Sequence, residues 1–285
     1  MTEEIHRTRA AISVQAPARD VYLTLTDVLG WPLLYPWITH TEVLEQQGPE
    51  DLTKFWAVRP GPEGTLRIWT SRRRLDDAAL VMEFEQHGSV GAIRRLGGRW
   101  LFLEQPDGQC LVESHHWFTT DEDPAVTAAE LDRHGALQMR TLKEAVEQRE
   151  QAEPLVLRAE REVLLAGTTI EEVHRHLVDT LDLGETPQEE AQFVTARAAH
   201  PDGPSRAGRS VLILRDPHTV LLKHLEPPAE FALYRRSWHL DSTADGIRVT
   251  ARQLAVARSE EADLSRLGEW LDRQAAADLP AAAAV

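Results

Sequence analysis

The chain has one cysteine among its 285 residues, Cys110, so no disulfide can form within it. Such sparse cysteine is typical of proteins that fold in a reducing compartment. No apolar run approaches the roughly 20 residues that a membrane-spanning helix requires, and the acidic start Met-Thr-Glu-Glu is unlike a secretory signal peptide. We therefore expect a soluble protein of the cytoplasm that does not associate with membranes.

Positive charge is also scarce, because 46 acidic residues face only 31 basic ones and give a net charge of −15. That balance argues against general nucleic-acid binding. The chain has no glycine-rich phosphate-binding loop and no nucleophile elbow. The neighbouring His115 and His116 have no third ligand at a suitable spacing, so the sequence predicts neither a metal nor a cofactor.

Tryptophan, in contrast, is plentiful, with eight residues that serve either core packing or an aromatic pocket. One of them lies in the segment 65–76, TLRIWTSRRRLD, which is typical of a strand. Because side chains alternate along a strand, one face carries Arg67, Trp69, Ser71 and Arg73. Two interpretations stay open: this face lines a polar spot in an apolar cavity, or Leu66 and Ile68 face the core and the arginines are solvated.

The pattern along the chain predicts the same elements twice. The first half reads as a strand, two short helices, six strands and a long amphipathic helix that ends near Gln151. The second half reads as a strand, one short helix, five strands and a final helix that begins near Ser259. Turn-forming residues such as Pro106-Asp107-Gly108 separate the strands.

Spacing supports an internal repeat better than identity does. Trp100 precedes the turn residue Gly108 by eight positions, and Trp238 precedes Gly246 by eight. The second half lacks a counterpart of residues 30–32, Gly-Trp-Pro, and is shorter by about one short helix and one strand. We expect an α+β fold of two tandem domains, 1–152 and 153–285, each with a curved antiparallel sheet wrapped around its C-terminal helix, and with the second domain trimmed and structural or accessory. Such a sheet tends to leave a deep cavity, where a small-molecule site belongs.

Three pieces of the first half, Gly-Trp-Pro at 30–32, Trp-Thr-Ser-Arg-Arg at 69–73 and Gly-Arg-Trp at 98–100, carry a family likeness. Together with the tandem layout they resemble the didomain aromatase/cyclases of bacterial type II polyketide synthases, which have two START-like helix-grip domains. The resemblance covers essentially the whole chain and is stronger in the first half. It implies an enzyme that takes a poly-β-ketone held as a thioester on an acyl carrier protein and catalyses first-ring aldol cyclisation, dehydration to an aromatic ring, or both.

The resemblance also implies a site in the first domain. Arg73 would stabilise a developing oxyanion, because a guanidinium stays protonated at working pH. Ser71 would order a water or relay a proton, and His115 or His116 would act as general acid or base. Adjacent strand residues face opposite ways, so only one of the two histidines can face the cavity. The predicted catalytic residues are Arg73, Ser71 and His115, and a glutamine that the family has on the last strand falls near His115 here. The predicted substrate-binding residues are Trp31, Tyr35, Arg67, Trp69, Trp100 and Trp117.

Two alternatives accompany this interpretation. The first is a START-like binding protein or chaperone for a hydrophobic polyketide-like metabolite, in which Arg73 would affect affinity and not turnover. The second concerns the basic residues Arg94 and Arg95, which either steer an acidic carrier protein to the cavity rim or are ordinary surface arginines.

Overall fold

The computed structural model describes residues 4–59, 64–88, 91–181, 183, 187, 189–215 and 217–280. The chain divides into two compact units, Met1–Arg149 and Glu150–Val285. The sequence places the domain boundary after residue 152, at the end of a short helix that follows the long helix of the first unit. Each unit is described by itself below.

The first domain is a single antiparallel sheet of seven strands with helices on its concave side. In chain order the elements are β1 (His6–Val14), α1 (Ala18–Thr26), a 3₁₀ turn (Val28–Gly30), α2 (Trp31–Leu34), β2 (Ile38–Gln47), β3 (Glu50–Val58), β4 (Leu66–Asp76), β5 (Val81–His87), β6 (Ile93–Glu104), β7 (Cys110–Thr120), α3 (Pro124–Glu147) and α4 (Arg149–Ala152). The strand order is β1-β7-β6-β5-β4-β3-β2. The long helix α3 ends at Glu147, whereas the sequence predicts an end near Gln151.

The start of α3 follows from its local sequence. Pro124 occupies the first turn, where its missing N–H is not needed, and the Asp123 side chain caps the helix by accepting a hydrogen bond from the Ala125 amide at 2.9 Å. The helix then runs for 24 residues. Its buried residues Thr127, Gly135, Met139 and Leu142 recur at helical spacing, so one face of α3 points into the sheet.

The second domain repeats this plan with six strands. After a 3₁₀ turn (Glu153–Leu155) its elements are β8 (Val156–Leu165), α5 (Ile170–Thr180), β9 (Ala191–His200), β10 (Gly203–Arg215), β11 (Thr219–His224), β12 (Phe231–Thr243), β13 (Gly246–Ala257) and α6 (Leu264–Ala277). The strand order is β8-β13-β12-β11-β10-β9. The final helix begins at Leu264, and not near Ser259, because Asp263 caps it by accepting from the Arg266 amide at 3.0 Å.

The strand registers make the two domains comparable residue by residue. Trp100 on β6 lies opposite Met82 on β5, and Trp238 on β12 lies opposite Val220 on β11. Both tryptophans are buried. The second sheet has no equivalent of β2, and the described residues between α5 and β9 contain no equivalent of α2. The predicted fold class, two tandem helix-grip domains with the second shortened, is confirmed.

Candidate active site

The face of β4 that carries Arg67, Trp69, Ser71 and Arg73 points into the first domain. Ser71 and Arg73 are only 5% and 4% exposed, whereas Ile68 on the other face is 41% exposed. Arg72 and Arg74 are also exposed. Of the two interpretations that the alternation leaves open, the one with Leu66 and Ile68 in the core is wrong, and the arginine-bearing face is the inner one.

A cavity of about 470 Å³ lies between the concave sheet and α3. Seven of the nine predicted site residues line it: Trp31, Tyr35, Arg67, Trp69, Ser71, Arg73 and Trp100. They reach it from α2, the loop that follows α2, β4 and β6. A volume of this size is within the range of small-molecule pockets.

Aromatic rings form one continuous wall of the cavity. Trp69 stacks on Phe55 with ring centroids 5.0 Å apart and planes within 9°. Phe55 contacts Trp31 at 5.2 Å, Trp31 contacts Tyr35 at 5.2 Å, and Tyr35 stacks on Trp37 at 5.0 Å. The Trp31 indole N–H donates to the Leu25 carbonyl at 2.8 Å, which fixes the ring. These rings pack both face to face and edge to face, so this wall of the cavity is a continuous aromatic surface.

Arg73 is held at the cavity wall by a carboxylate that the sequence analysis missed. Its Nε and Nη2 donate to the two oxygens of Asp51 at 2.9 and 2.7 Å, and its Nη1 donates to the Thr26 carbonyl at 3.2 Å. Thr53 also donates to Asp51, at 2.7 Å. Both members of the pair are buried. The guanidinium is thus fixed in orientation, and part of its charge is compensated before any ligand arrives.

The histidine of β7 that lines the cavity is His116. His115 faces the other way and interacts through its Nε2 with Glu113 at 2.9 Å. The selection of His115 is therefore corrected to its neighbour, as the alternation of the strand allows. His116 Nε2 lies 3.0 Å from the Ser114 hydroxyl. Burial, and then the nearby His134 and His115, lower the pKa of His116 to about 4, so this imidazole is neutral at neutral pH.

Trp117, the other predicted residue outside the cavity, lies on the opposite face of β7. Its indole packs over Gly97, where an added Cβ would be 2.4 Å from the ring. The Arg95 guanidinium lies 5.2 Å from the ring centroid. This is a second correction, and it has the same cause as the first: residues 115 and 117 share a strand face, and that face is not the one lining the cavity.

The more exposed part of the cavity wall is charged. Arg59 and Glu130 form an ion pair at 3.1 Å with side chains that are about half exposed, 47% and 50%. Arg67 lies in the same wall, and its pKa is lowered by burial and then by Arg59, whereas Glu130 opposes the shift. The pKa of His134 on α3 is lowered by burial and then by Arg67 and Arg59. This end of the cavity therefore holds a neutral imidazole beside two guanidinium groups.

Several lining residues could have been found in the sequence. On α3 the cavity face comprises Val126, Thr127, Glu130, Leu131, His134, Gly135 and Gln138. These positions recur at the spacing of three and four residues that marks one face of a helix, so His134 and Gln138 were accessible to a periodicity argument. Asp51 was not, because only the pairing of β3 with β4 places it opposite Arg73.

Neither a metal-binding cluster nor a membrane-spanning helix is found in the described part of the chain. Among the residues that the structure describes, no group of three or more His, Cys, Asp or Glu side chains is placed to hold a metal ion. In the same part of the chain, no helix is long and apolar enough to cross a membrane.

Solved structures resemble the chain over nearly its whole length. The di-domain ARO/CYC StfQ from the steffimycin biosynthetic pathway aligns with a TM-score of 0.81 at 21% identity, covering 95% of this chain and 94% of that one. The di-domain ARO/CYC BexL from the BE-7585A biosynthetic pathway aligns with a TM-score of 0.78 at 22% identity and the same coverage. The chain has the didomain aromatase/cyclase fold.

Comparisons of the sequence give the same result as the comparison of structures. The polyketide cyclase/dehydrase and lipid transport family model matches residues 14–146, which lie within the first domain. The granaticin polyketide synthase bifunctional cyclase/dehydratase of Streptomyces violaceoruber is 27% identical over 268 residues, 87% of this chain and 80% of the relative. The actinorhodin polyketide synthase bifunctional cyclase/dehydratase of Streptomyces coelicolor is 27% identical over 280 residues, 90% and 86%. The resemblance that the sequence motifs predict is confirmed.

Proposed function

We propose that this protein is a polyketide aromatase/cyclase whose chemistry takes place in the first-domain cavity. Its substrate is a poly-β-ketone tethered to an acyl carrier protein, and its reaction is first-ring aldol cyclisation, dehydration to the aromatic ring, or both. One observation carries the proposal: a cavity of about 470 Å³ with aromatic walls and a guanidinium fixed in place by Asp51. The named activities of the relatives support the same reaction class.

In the aldol step, a carbon that lies between two carbonyl groups loses a proton and attacks the carbon of a third carbonyl group. The oxygen of that third group becomes an alkoxide and takes up a proton. Arg73 is the group that meets this oxygen, because its charge is permanent and its orientation is set by Asp51. Preorganised donors of this kind are commonly worth two to three orders of magnitude in rate, about 3–4 kcal/mol. Asp51 is the positioning residue, since it acts through Arg73.

In the dehydration step, a carbon beside the new alcohol loses a proton and the hydroxyl leaves as water. Ser71 lies on the same strand face as Arg73, two residues before it, and lines the cavity. It relays a proton or holds a water, since a hydroxyl alone is a weak base. His116, neutral because of its burial, acts as a hydrogen-bonding group or as the acceptor of the proton.

The shape of the aromatic wall, and not a single catalytic base, determines which two carbons of the chain join to form the ring. The series Trp69, Phe55, Trp31 and Tyr35 presents ring faces and edges over a continuous surface. Holding the two reacting carbons close together removes much of the entropic part of the barrier. We therefore expect substitutions in this wall to alter which carbons join.

The carrier protein would approach the exposed part of the cavity. Arg59 and Arg67 line that part, and cations there favour an acidic partner. Arg94 forms an ion pair with Asp121, and Arg95 pairs with Glu85 at 2.8 Å, so both rim arginines have carboxylate neighbours. We therefore assign the larger steering role to Arg67. The enzyme would act in the cytoplasm beside the synthase.

The decisive test is an assay reconstituted from synthase, ketoreductase, carrier protein and this chain, with products identified by mass and absorbance. Arg73→Ala should abolish the aromatised product while binding of a soluble polyketide mimic survives. Arg74→Ala is the matched control, because Arg74 is the next residue on β4 and is exposed. Full product from Arg73→Ala would contradict the proposal, and a change of affinity alone would indicate a binding protein.

A further inference from the structure

A second pocket, of about 490 Å³, lies in the second domain and shares no lining residue with the proposed active site. Strands β8, β12 and β13 form it, on the sheet face opposite to the one that carries Tyr234 and Trp238. Its wall is rich in cations and donors: Arg158, Arg235, Arg252, His239 and Ser237, with Glu160 as the acidic member. The proposed reaction uses none of these residues.

Arg235 is the residue that sets this pocket apart. It is half-buried, and it forms no hydrogen bond or ion pair with any residue that the structure describes. The one carboxylate in the wall, Glu160, is engaged with the neighbouring Arg252. Burial of a charge without a partner is unfavourable, so a bound anion would stabilise this half-buried guanidinium.

The strand register sharpens this imbalance. Arg235 lies directly opposite Lys223 on β11, and on the other side Leu254 separates it from Arg158. Burial and then Arg235 lower the pKa of Lys223 to about 7, because positive charges that face each other across a sheet are destabilising. Burial and then Arg252 lower the pKa of Arg235 to about 10.

In the first domain, the two residues at the positions that correspond to Arg235 and Leu254 are packed against each other. The registers make Gly97 the counterpart of Arg235, and Trp117 the counterpart of Leu254. In the first domain the Trp117 indole packs directly on Gly97 and leaves no space between them. In the second domain Leu254 takes the place of the indole and Arg235 takes the place of the glycine. The result is a pocket that contains a guanidinium with no partner among the described residues.

We propose that this pocket binds a phosphate group, either as inorganic phosphate or as the phosphate ester of a small molecule. The planar fork of Arg235 matches two phosphate oxygens. Arg252 and the Ser237 hydroxyl stand on neighbouring strands, directly opposite each other, to contact a third oxygen. The pocket has room for more than the phosphate itself, so we expect an ester to bind more tightly than the free ion.

The test is isothermal titration calorimetry of the full chain with inorganic phosphate, pantetheine 4′-phosphate and malonate, at constant ionic strength with chloride as the balancing anion. Arg235→Gln should weaken phosphate binding about tenfold or more, as expected for loss of a charge-assisted contact. Arg248→Gln is the matched control, since Arg248 is an exposed residue on the same face of β13. It should leave the affinity unchanged.

A second readout protects the test against a folding defect. In buffer without phosphate, Arg235→Gln should have a melting temperature at least equal to that of the natural chain, because it removes a half-buried charge that no described residue pairs. Phosphate should then raise the melting temperature of the natural chain but not of the variant. The proposal is overturned if phosphate does not bind, if malonate binds as well as phosphate, if Arg235→Gln binds unchanged, or if that variant fails to fold.

Discussion

The two domains share one sheet plan and differ in what fills it. At corresponding register positions, Arg73 of the first domain is replaced by Leu212, Phe55 by Ala196 and Gly98 by Arg236. Gly98 lies against β7, where an added Cβ would come within 2.3 Å of the His115 carbonyl oxygen. In the second domain this position carries a long side chain instead, so the same architecture presents different side chains on its inner face.

The inner face of the second sheet carries a half-buried ion pair. Arg236 donates from Nε and Nη2 to the Asp278 carboxylate at 3.0 and 2.6 Å, and the Trp238 indole donates to the Asp278 carbonyl at 2.9 Å. Tyr234, which stacks on His224 at 5.0 Å, donates to Gln253 at 2.7 Å. Each domain thus has a bidentate arginine–aspartate pair on the inner face of its sheet, and Arg73 of the first domain lines the cavity described above. We infer that the first pair serves chemistry and the second serves stability.

The largest effect should come from removing the acidic partner of the first pair. Asp51→Ala leaves Arg73 as an uncompensated buried charge, which typically costs about 3–5 kcal/mol in the free energy of unfolding. Urea denaturation of the purified chain measures this. Asp51→Asn, which keeps hydrogen-bonding capacity, should cost less. A loss below about 1 kcal/mol for Asp51→Ala would show that the pair is not the buried contact described here.

The sharpest test of the comparison replaces each pair by apolar residues of similar size. Such swaps are often close to neutral in stability, so both double variants, Arg73→Met/Asp51→Leu and Arg236→Met/Asp278→Leu, should remain folded. Only the first should lose cyclisation, by roughly a hundredfold or more in rate. Equal loss of activity in both variants would remove the distinction between a chemical and a structural pair.

A smaller effect concerns pH. The pKa of His116 is lowered from 6.5 to about 4, so between these values the unfolded chain binds a proton that the folded chain does not. Stability therefore falls as the pH drops from 6.5 toward 4, by at most about 1.4 kcal/mol per pH unit from this residue. His116→Gln should flatten the dependence, measured by urea denaturation at several pH values. An unchanged slope would contradict the described burial.

The smallest effect is expected at the exposed ion pair of the cavity wall. Arg59→Gln should change the free energy of unfolding by less than about 1 kcal/mol, because exposed pairs contribute little. The apparent KM for the carrier-bound substrate should rise a few-fold at low salt and converge with that of the natural chain at high salt. A salt-independent KM change would indicate a direct contact with the polyketide and not steering.

The sequence alone predicts most of this architecture, because the elements that decide it are strongly patterned. The alternation of β4 predicts the shared face of Arg67, Trp69, Ser71 and Arg73, and the spacing of Trp100 and Trp238 predicts the repeat. The missing helix and strand of the second domain follow from a simple difference in length.

What escaped prediction depends on contacts between distant strands. Asp51 and Arg73 are 22 residues apart, and only the sheet register brings them together. The choice between His115 and His116 required the phase of β7, which a single apolar or polar residue cannot set. Trp117 was misplaced for the same reason. Periodicity gives faces, but it does not say which face is concave.

The most direct measurement of the central claim is a crystal structure of the full chain with an aromatised product analogue. We predict that the analogue lies in the first-domain cavity, against Trp31, Phe55 and Trp69, with an oxygen within hydrogen-bonding distance of the Arg73 guanidinium. An analogue bound only within the second domain, or in the first cavity with Arg73 turned wholly away to Asp51, would contradict the account.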